Sequence, residues 1–278
     1  MNNIKKKSIF RSFINAFYYA IIFFDIKNPI QGIINWSEYF LDLFRFKKGC
    51  LVIYHLRNGF TYKARSGTLD RAMIVETNLR KIYNPPGFEI GPNDTVVDIG
   101  AQIGTFAVMT AKSVKNGQVI AFEPEKSNYS LFLDNIKLNN LTNIIALNEA
   151  VTDKIGRSIL YMSSSNTGGH SMLITATAGK QKGALSVKTT TLSDIIKNYG
   201  LIRINFLKID AEGAEYDIIL NLDDSILEKI DKISMEFHQI DDKKNGLAIK
   251  RFLQDNNFKV MIKGLPGAPI GMLYARKL

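Results

Sequence analysis

Asp98, Gly100 and Gly104 stand in the pattern Asp-x-Gly-x-x-x-Gly, between the apolar run Thr95–Ile99 and the helix-like stretch Thr105–Lys112. A strand that passes through a glycine turn into a helix start can hold a carboxylate or phosphate. The turn lets backbone approach closely, and the helix end offers free N–H groups and a positive dipole. The spacing lacks the middle glycine of G-x-G-x-x-G, so a nicotinamide or flavin dinucleotide is not expected. Glu123 lies at the tip of the next strand-like run, Gln118–Phe122. An acid there can accept two hydrogen bonds from a ribose diol, which makes the ligand a nucleoside.

A second group of titratable residues comes from the C-terminal half. Asp210 follows Phe206-Leu-Lys-Ile209, read as an apolar strand, so its carboxylate is expected to be partly buried. Glu212 and Glu215 flank Gly213, where the chain turns into a helix, and Glu215 reads as a first-turn acid that complements the helix dipole. In Glu236-Phe-His238 the period of two puts Glu236 and His238 on one strand face. A histidine beside a carboxylate can be a general base near pH 7, or it can be structural. His170 sits in the polar stretch Ser163–Ser171, suited to cover a substrate. An Asp/Glu/His cluster can also ligate a divalent cation. No stretch has the spacing of a dedicated metal site, so none is expected.

These residues need a scaffold of alternating strands and helices, and the pattern from Asp94 onward supplies it. Strands are expected near 95–99, 118–122, 143–148, 205–210, 231–237, 257–262 and 269–275. Ligands of such sheets sit at the carboxyl ends of the strands, so Asp98, Gly100, Gly104, Glu123 and Asp210 should converge on one crevice. Upstream, Leu51–Arg57, Asn58-Gly59 and Phe60–Arg65 form a hairpin signal. Residues 30–48 read as one amphipathic helix, 70–80 as another, and Asn84-Pro-Pro-Gly87 as a break.

The chain has 278 residues and a net charge of +10. Residues 1–65 hold 11 Lys/Arg against Asp25, Glu38 and Asp42, a net of +8, which leaves about +2 for the rest. A nucleic-acid binder needs its cations on the binding domain itself, so no nucleic-acid partner is expected. Cys50 is the single cysteine, which excludes an intramolecular disulfide and fits a cytoplasmic location. Lys5, Lys6 and Lys7 precede the aromatic run Ile9–Phe24. As a helix that run reaches roughly 24 Å, short of a ~30 Å hydrocarbon core. No small-residue cleavage site follows Phe24. Residues 5–24 are thus expected either to pack on their own domain or to contact an anionic membrane surface.

Asp98-x-Gly100-x-x-x-Gly104 with Glu123 resembles the class I methyltransferases that bind S-adenosylmethionine. Thr189–Asp194, Leu207-Lys-Ile-Asp-Ala-Glu-Gly-Ala-Glu215 and Met235-Glu-Phe-His238 narrow this, and the chain is similar to the FkbM family over roughly residues 68–275. Gln102 stands where that family commonly carries Asn and keeps the amide. The resemblance implies a doubly wound, seven-stranded Rossmann-like sheet whose last strand is antiparallel. The cofactor would be S-adenosylmethionine, contacted by Asp98, Gly100, Gln102, Gly104, Glu123 and, at the adenine, Glu149 and Ala150. It implies O-methylation of a sugar or glycan-related hydroxyl, with Asp210, Glu212 and His238 as catalytic candidates. A lipid-linked or small-metabolite acceptor, or a non-catalytic scaffold, remain as alternatives. The expected organisation is a basic helical segment (1–48), a hairpin and helix (49–90) and a methyltransferase domain (91–278).

Overall fold

A computed structural model describes residues 27–46, 49–163, 181–264 and 268–278. Expectations for the run 5–24 and for His170 lie outside these residues. The described residues open with α1 (Lys27–Gly32) and α2 (Trp36–Leu43), then the hairpin β1 (Leu51–His55) and β2 (Thr61–Arg65), then α3 (Asp70–Asn78). Next come β3 (Thr95–Ile99), α4 (Thr105–Ser113), β4 (Gln118–Phe122), α5 (Lys126–Leu138) and β5 (Ile144–Leu147). An insertion carries β6 (Ala150–Val151), β7 (Gly156–Ser163) and β8 (Gln181–Thr190). The chain closes with α6 (Leu192–Asn198), β9 (Phe206–Ile209), α7 (Glu215–Ile219), α8 (Asp224–Leu227), β10 (Lys232–His238), α9 (Gly246–Asp255), β11 (Phe258–Lys263) and β12 (Ile270–Lys277).

The main sheet has seven strands in the order β11-β12-β10-β9-β3-β4-β5. β12 is antiparallel to β10 and β11, while β10, β9, β3, β4 and β5 pair in parallel. Strand order therefore reverses between β3 and β9, and a crevice opens at their carboxyl ends. Side-chain alternation gives the sheet two apolar faces. Val96, Val119, Ala121 and Phe206 pack with α4, α5 and the hairpin, whereas Val97, Ile99, Ile120, Leu207 and Ile209 pack with α6, α7 and α9. The near-continuous apolar runs are what a strand buried on both faces requires.

The hairpin is tied to the β3–β4 half of the sheet through the helices that cover it. Val52, Tyr54, Tyr62 and Ala64 alternate inward, and the Tyr62 hydroxyl donates to Asn78 Oδ1 (3.0 Å) and the Thr105 carbonyl (3.2 Å). Asn135 of α5 accepts from Lys63 N (2.7 Å) and donates to the Ile103 carbonyl (2.8 Å), which joins β2, α5 and the glycine turn.

Two expectations need correction. Residues 30–48 do not form one helix. Ile33 bridges Leu56, and Asn35 donates to the Ile53 carbonyl (2.8 Å) and accepts from His55 N (2.9 Å). The segment between α1 and α2 thus satisfies the edge of β1 instead of continuing the helical ladder. The second is the small sheet β6-β8-β7, which was not anticipated. Its strands alternate polar and apolar residues, and Ala150, Leu160 and Val187 form a small apolar cluster with Leu185 packed against it.

Candidate active site

The glycine turn sits against β9. Gly100 has φ +79°, and a Cβ there would collide with the Asp210 carbonyl oxygen. Gly104, at φ +82°, would drive a Cβ into the Phe132 ring. Both glycines are thus demanded by the protein's own packing, backbone on backbone and helix on ring.

Asp98 is fully buried beneath that turn, with Oδ1 3.0 Å from Lys208 Nζ. Lys208, itself 3% exposed, donates to the Gly100 carbonyl (2.6 Å) and stands 3.9 Å from Asp210 Oδ2. Its ammonium also lies 5.0 Å from the Tyr83 ring centroid. Burial pushes the Asp98 carboxyl up against the lowering effect of Lys208. For Lys208 burial pulls downward, but Asp98 and Asp210 win and hold it above the ordinary lysine range. The run Phe206–Ile209 is therefore not apolar throughout: it carries a buried cation that clamps the turn. Sequence reasoning passed over Lys208, although a lysine inside a doubly buried strand demands an anionic partner.

Glu123 is buried at the tip of β4. Its Oε1 accepts from Glu125 N (2.9 Å) and Asn128 Nδ2 (3.2 Å), and its Oε2 accepts from Gln102 N (2.8 Å). Three donors favour the carboxylate, yet burial outweighs them and pushes the group up to about 7. The Gln102 side chain donates to Asp70 Oδ1 (2.7 Å), and Asp70 also receives Arg65 Nε (2.8 Å) and Nη2 (3.0 Å). Arg65 reaches on to Asn128 Oδ1 (2.6 Å). Arg65 and Asp70 escaped the sequence reading because only the packed hairpin brings them to the turn. Glu149 and Ala150 follow β5, the neighbour of β4. Glu149 Oε1 lies 2.5 Å from Lys188 Nζ, and Ala150 pairs with Thr189.

Asp210, Glu212 and His238 gather at the ends of β9 and β10. Asp210 Oδ2 accepts from the buried Tyr83 hydroxyl (2.7 Å), whereas Oδ1 has no hydrogen-bond partner among the described residues. Burial, with Asp210 adding to it, holds the Tyr83 phenol well above its ordinary range, so the phenol is a donor. His238 Nε2 stands 3.2 Å from Glu212 Oε2 and 3.7 Å from Glu236 Oε1, and Nδ1 lies 3.0 Å from Glu215 Oε1. Glu215 is fully buried and also accepts from Gly213 N (2.9 and 3.0 Å). It is fixed by the turn that leads into α7, and it orients the imidazole. Burial lowers the affinity of His238 for a proton, but Glu212 and Glu215 outweigh it and hold the imidazole well above its ordinary range. Burial pushes the Glu212 carboxyl up against the opposing effect of His238, and pushes Glu236 well up, with Asp210 adding to it.

A doubly wound sheet of this order, with a glycine turn after β3 and acids at the tips of β4 and β9, defines a Rossmann-like class I methyltransferase. The methyltransferase FkbM domain model matches residues 98–260, more than half of the chain, and the chain belongs to that family. It is a methyltransferase, and its cofactor is the family's donor, S-adenosylmethionine. It is 28% identical over 214 residues to Methyltransferase 1 of Beauveria bassiana, covering 70% of this chain and 85% of that one. It is 23% identical over 212 residues to the 31-O-demethyl-FK506 methyltransferase FkbM of Streptomyces tacrolimicus, covering 67% and 81%. The crystal structure of a methyltransferase FkbM from Methylobacillus flagellatus aligns with a TM-score of 0.47 at 14% identity, over 74% of this chain and 53% of that one. Among the described residues no helix is long and apolar enough to cross a membrane.

Proposed function

We propose that the protein methylates the oxygen of a sugar or glycan-related hydroxyl, with Asp210 as the group that receives the hydroxyl proton. The observation that carries this reading is the asymmetry of Asp210. Tyr83 holds Oδ2, and Oδ1 is left as an acceptor at the point where the strand order reverses. A hydroxyl is a poor nucleophile until its proton is being removed, so an oriented carboxylate there contributes directly. S-adenosylmethionine, when bound, supplies an electrophilic methyl on a sulfonium whose sulfur leaves with the bonding pair. Glu123 fits the ribose diol of that cofactor, since Oε2 takes a single internal hydrogen bond and retains acceptor capacity. Asp98 acts as a positioning residue through Lys208 and the Gly100 carbonyl. Gln102 ties the turn to Asp70, while Glu149 and Ala150 flank the adenine side. Glu212 and His238 border the acceptor. The Streptomyces relative is named as a 31-O-demethyl-FK506 methyltransferase, which agrees with an oxygen acceptor.

The test uses the full chain, labelled S-adenosylmethionine and a panel of sugars, glycans, lipids and small alcohols. Label should appear as a methyl ether on a sugar-type hydroxyl. Transfer only to nitrogen, sulfur or carbon overturns the reading. Asp210→Asn should keep cofactor affinity within a few-fold while turnover falls by roughly 10²–10⁴. If affinity falls as far as turnover, Asp210 holds the cofactor instead.

A lipid-linked acceptor has one observation in its favour. Ile34, Trp36, Phe44 and Phe46 are 56, 43, 57 and 77% exposed, and the rings of Trp36, Phe40, Phe44 and Phe46 succeed one another at 6.0–6.5 Å. Together with the +8 charge of residues 1–65, this suits an anionic bilayer surface. Salt-sensitive pelleting with phosphatidylserine vesicles would support it, and no pelleting at low salt would remove it.

A further inference from the structure

We propose that the cleft between the hairpin turn, the end of α4 and the segment that follows α3 binds an acidic sugar unit, a carboxylate or phosphate carried on a hydroxylated ring. The inference goes beyond the O-methylation reading and does not rest on it.

The cleft measures about 550 Å³ and opens between Asn58 of the hairpin turn, Asn84 after α3 and Lys112 of α4. Its volume is that of a small-molecule site. α4 leads away from the glycine turn, and its nine residues span about 12 Å. The cleft lies at the far end of that helix, so a ligand there does not meet the catalytic crevice.

The first observation is a set of unpartnered polar groups. Around the cleft the asparagines are tied up. Asn78 accepts from the Tyr62 hydroxyl (3.0 Å) and donates to the Ile74 carbonyl (3.2 Å), and Asn143 Nδ2 donates to the Ala111 and Val114 carbonyls (both 2.9 Å). Inside the cleft the pattern breaks. Thr110 lines it and is fully buried, yet its Oγ1 has no hydrogen-bond partner among the described residues. Asn84 Oδ1 is sealed and equally without a partner. Buried polar groups left unpaired are uncommon and costly, and each calls for the group that satisfies it. Both side chains are one rotation from a ligand hydroxyl, which can donate to the amide oxygen and donate to or accept from the threonine.

The second observation is charge. Lys81 and Lys112 both line the cleft, and neither has a carboxylate partner among the described residues. Lys112 Nζ rests 4.7 Å from the Phe60 ring centroid and reaches the Gly59 carbonyl only at 3.5 Å. Each lysine stands near a helix end, whose negative dipole takes part of its charge, but Asn143 already occupies two carbonyls at the end of α4. Two ammonium groups suit an anion. A bare anion would also meet Glu89, which lines the same cleft and accepts from Gly87 N (2.7 Å). That N–H holds the Glu89 carboxyl below its ordinary range, so the group is a carboxylate. A ligand with an acid for the lysines and hydroxyls for Glu89, Asn84 and Thr110 matches the whole lining, and an apolar ligand would leave all of these unpaired. Ile90 and Met109 offer an apolar wall to the ring carbons.

The test takes the full chain, isotopically labelled at its methionine methyl groups, and titrates it with a glucose monophosphate, glucuronate, glucose and inorganic phosphate. Nuclear magnetic resonance reads the methyl signals, and calorimetry reads the affinity. At least one acidic sugar should bind once per chain and shift the signal of Met109, which Met109→Leu identifies. The two acidic arms tell phosphate from carboxylate. Glucose and inorganic phosphate should each bind about ten-fold more weakly or worse. Lys81→Gln and Lys112→Gln should each weaken the acidic sugar by roughly three- to five-fold, the worth of an exposed ion pair. Should Lys112→Gln disturb the hairpin through Phe60, as melting curves would show, Lys81→Gln decides. A shift at Met272, which pairs with Glu236, with Met109 unmoved would place the ligand in the catalytic crevice and overturn the second site. No binding of either acidic sugar at millimolar ligand, equal binding of glucose or of bare phosphate, or affinity untouched in the folded lysine variants overturns it as well.

Discussion

The proposed ribose contact of Glu123 couples cofactor binding to pH, and the structure sets both the window and the size. Burial holds the Glu123 carboxyl at about 7 in the folded protein, against 4.5 for an ordinary glutamate. The folded pKa is the higher one, so this group's stabilising proton uptake is complete below about 4.5 and lost as pH rises through about 7. Cofactor binding should run the other way. The diol hydroxyls donate, so they strengthen against the ionised carboxylate, and below pH 7 each unit should weaken affinity by up to ten-fold. From pH 8 to pH 6 the loss is roughly ten-fold. Glu123→Gln removes the charge and sets an amide donor against one of Gln102 N–H, Glu125 N–H or Asn128 Nδ2. At pH 8 it should cost about 1.5–3 kcal/mol, the worth of hydrogen bonds to a charged group, or about ten- to a hundred-fold in Kd. Below pH 6 the two proteins should converge. Calorimetric titration with S-adenosylmethionine from pH 5.5 to 8.5 reads this directly, and the difference between the two proteins cancels the ligand's own ionisation. Glu76, also held at about 7 by burial, is the control, and Glu76→Gln should keep the slope. Parallel profiles for wild type and Glu123→Gln would refute the ribose assignment.

Lys208→Met should strand the Asp98 carboxylate and destabilise the fold by about 3–5 kcal/mol, whereas Lys208→Met with Asp98→Asn should regain much of it. Urea unfolding of the three variants checks this, and additive single effects would deny the pairing. Gly100→Ala adds both a collision with the Asp210 carbonyl and a strained φ of +79°, so it should cost at least about 1–3 kcal/mol. It should also weaken cofactor binding, and thermal melts with calorimetry test both.

What was legible in the sequence follows from burial. The seven strands of the main sheet are short and mostly apolar because both sheet faces are covered, so their ends could be placed to within one or two residues, whereas β6, β7 and β8, with few buried apolar residues, could not. Glu123 stood out because an acid closed such a strand. Features that depend on strands meeting across the fold were not legible. Glu215 and His238 are 23 residues apart, and their contact exists because β9 and β10 pair. The Arg65–Asp70–Gln102 chain needs the hairpin packed on α3 before any of its partners are near. Lys208 was hidden by its apolar neighbours Phe206, Leu207 and Ile209, although its charge was the clearest local sign that something anionic had to face it. The helix assumed over 30–48 failed for a related reason: Asn35 gains more by pairing with Ile53 and His55 than by extending a helical ladder.

The two halves of the crevice are joined through one buried cation. The half around Glu123 is held by donors from the turn and from α5, with Arg65 and Asp70 bracing Gln102 and Asn128. The half around Asp210 is built from β9 and β10, with Tyr83 and Glu215 fixing the carboxylate and the imidazole. A single buried ammonium joins them, since Lys208 contacts Asp98 under the first half, donates to Gly100 at the seam and lies 3.9 Å from Asp210 in the second. Losing it would leave the turn free to move relative to Asp210 even if both sets of side chains survived. In-line methyl transfer depends on the alignment of cofactor and acceptor more than on any one acid or base. A residue that touches neither can therefore govern the rate through the distance between the two halves.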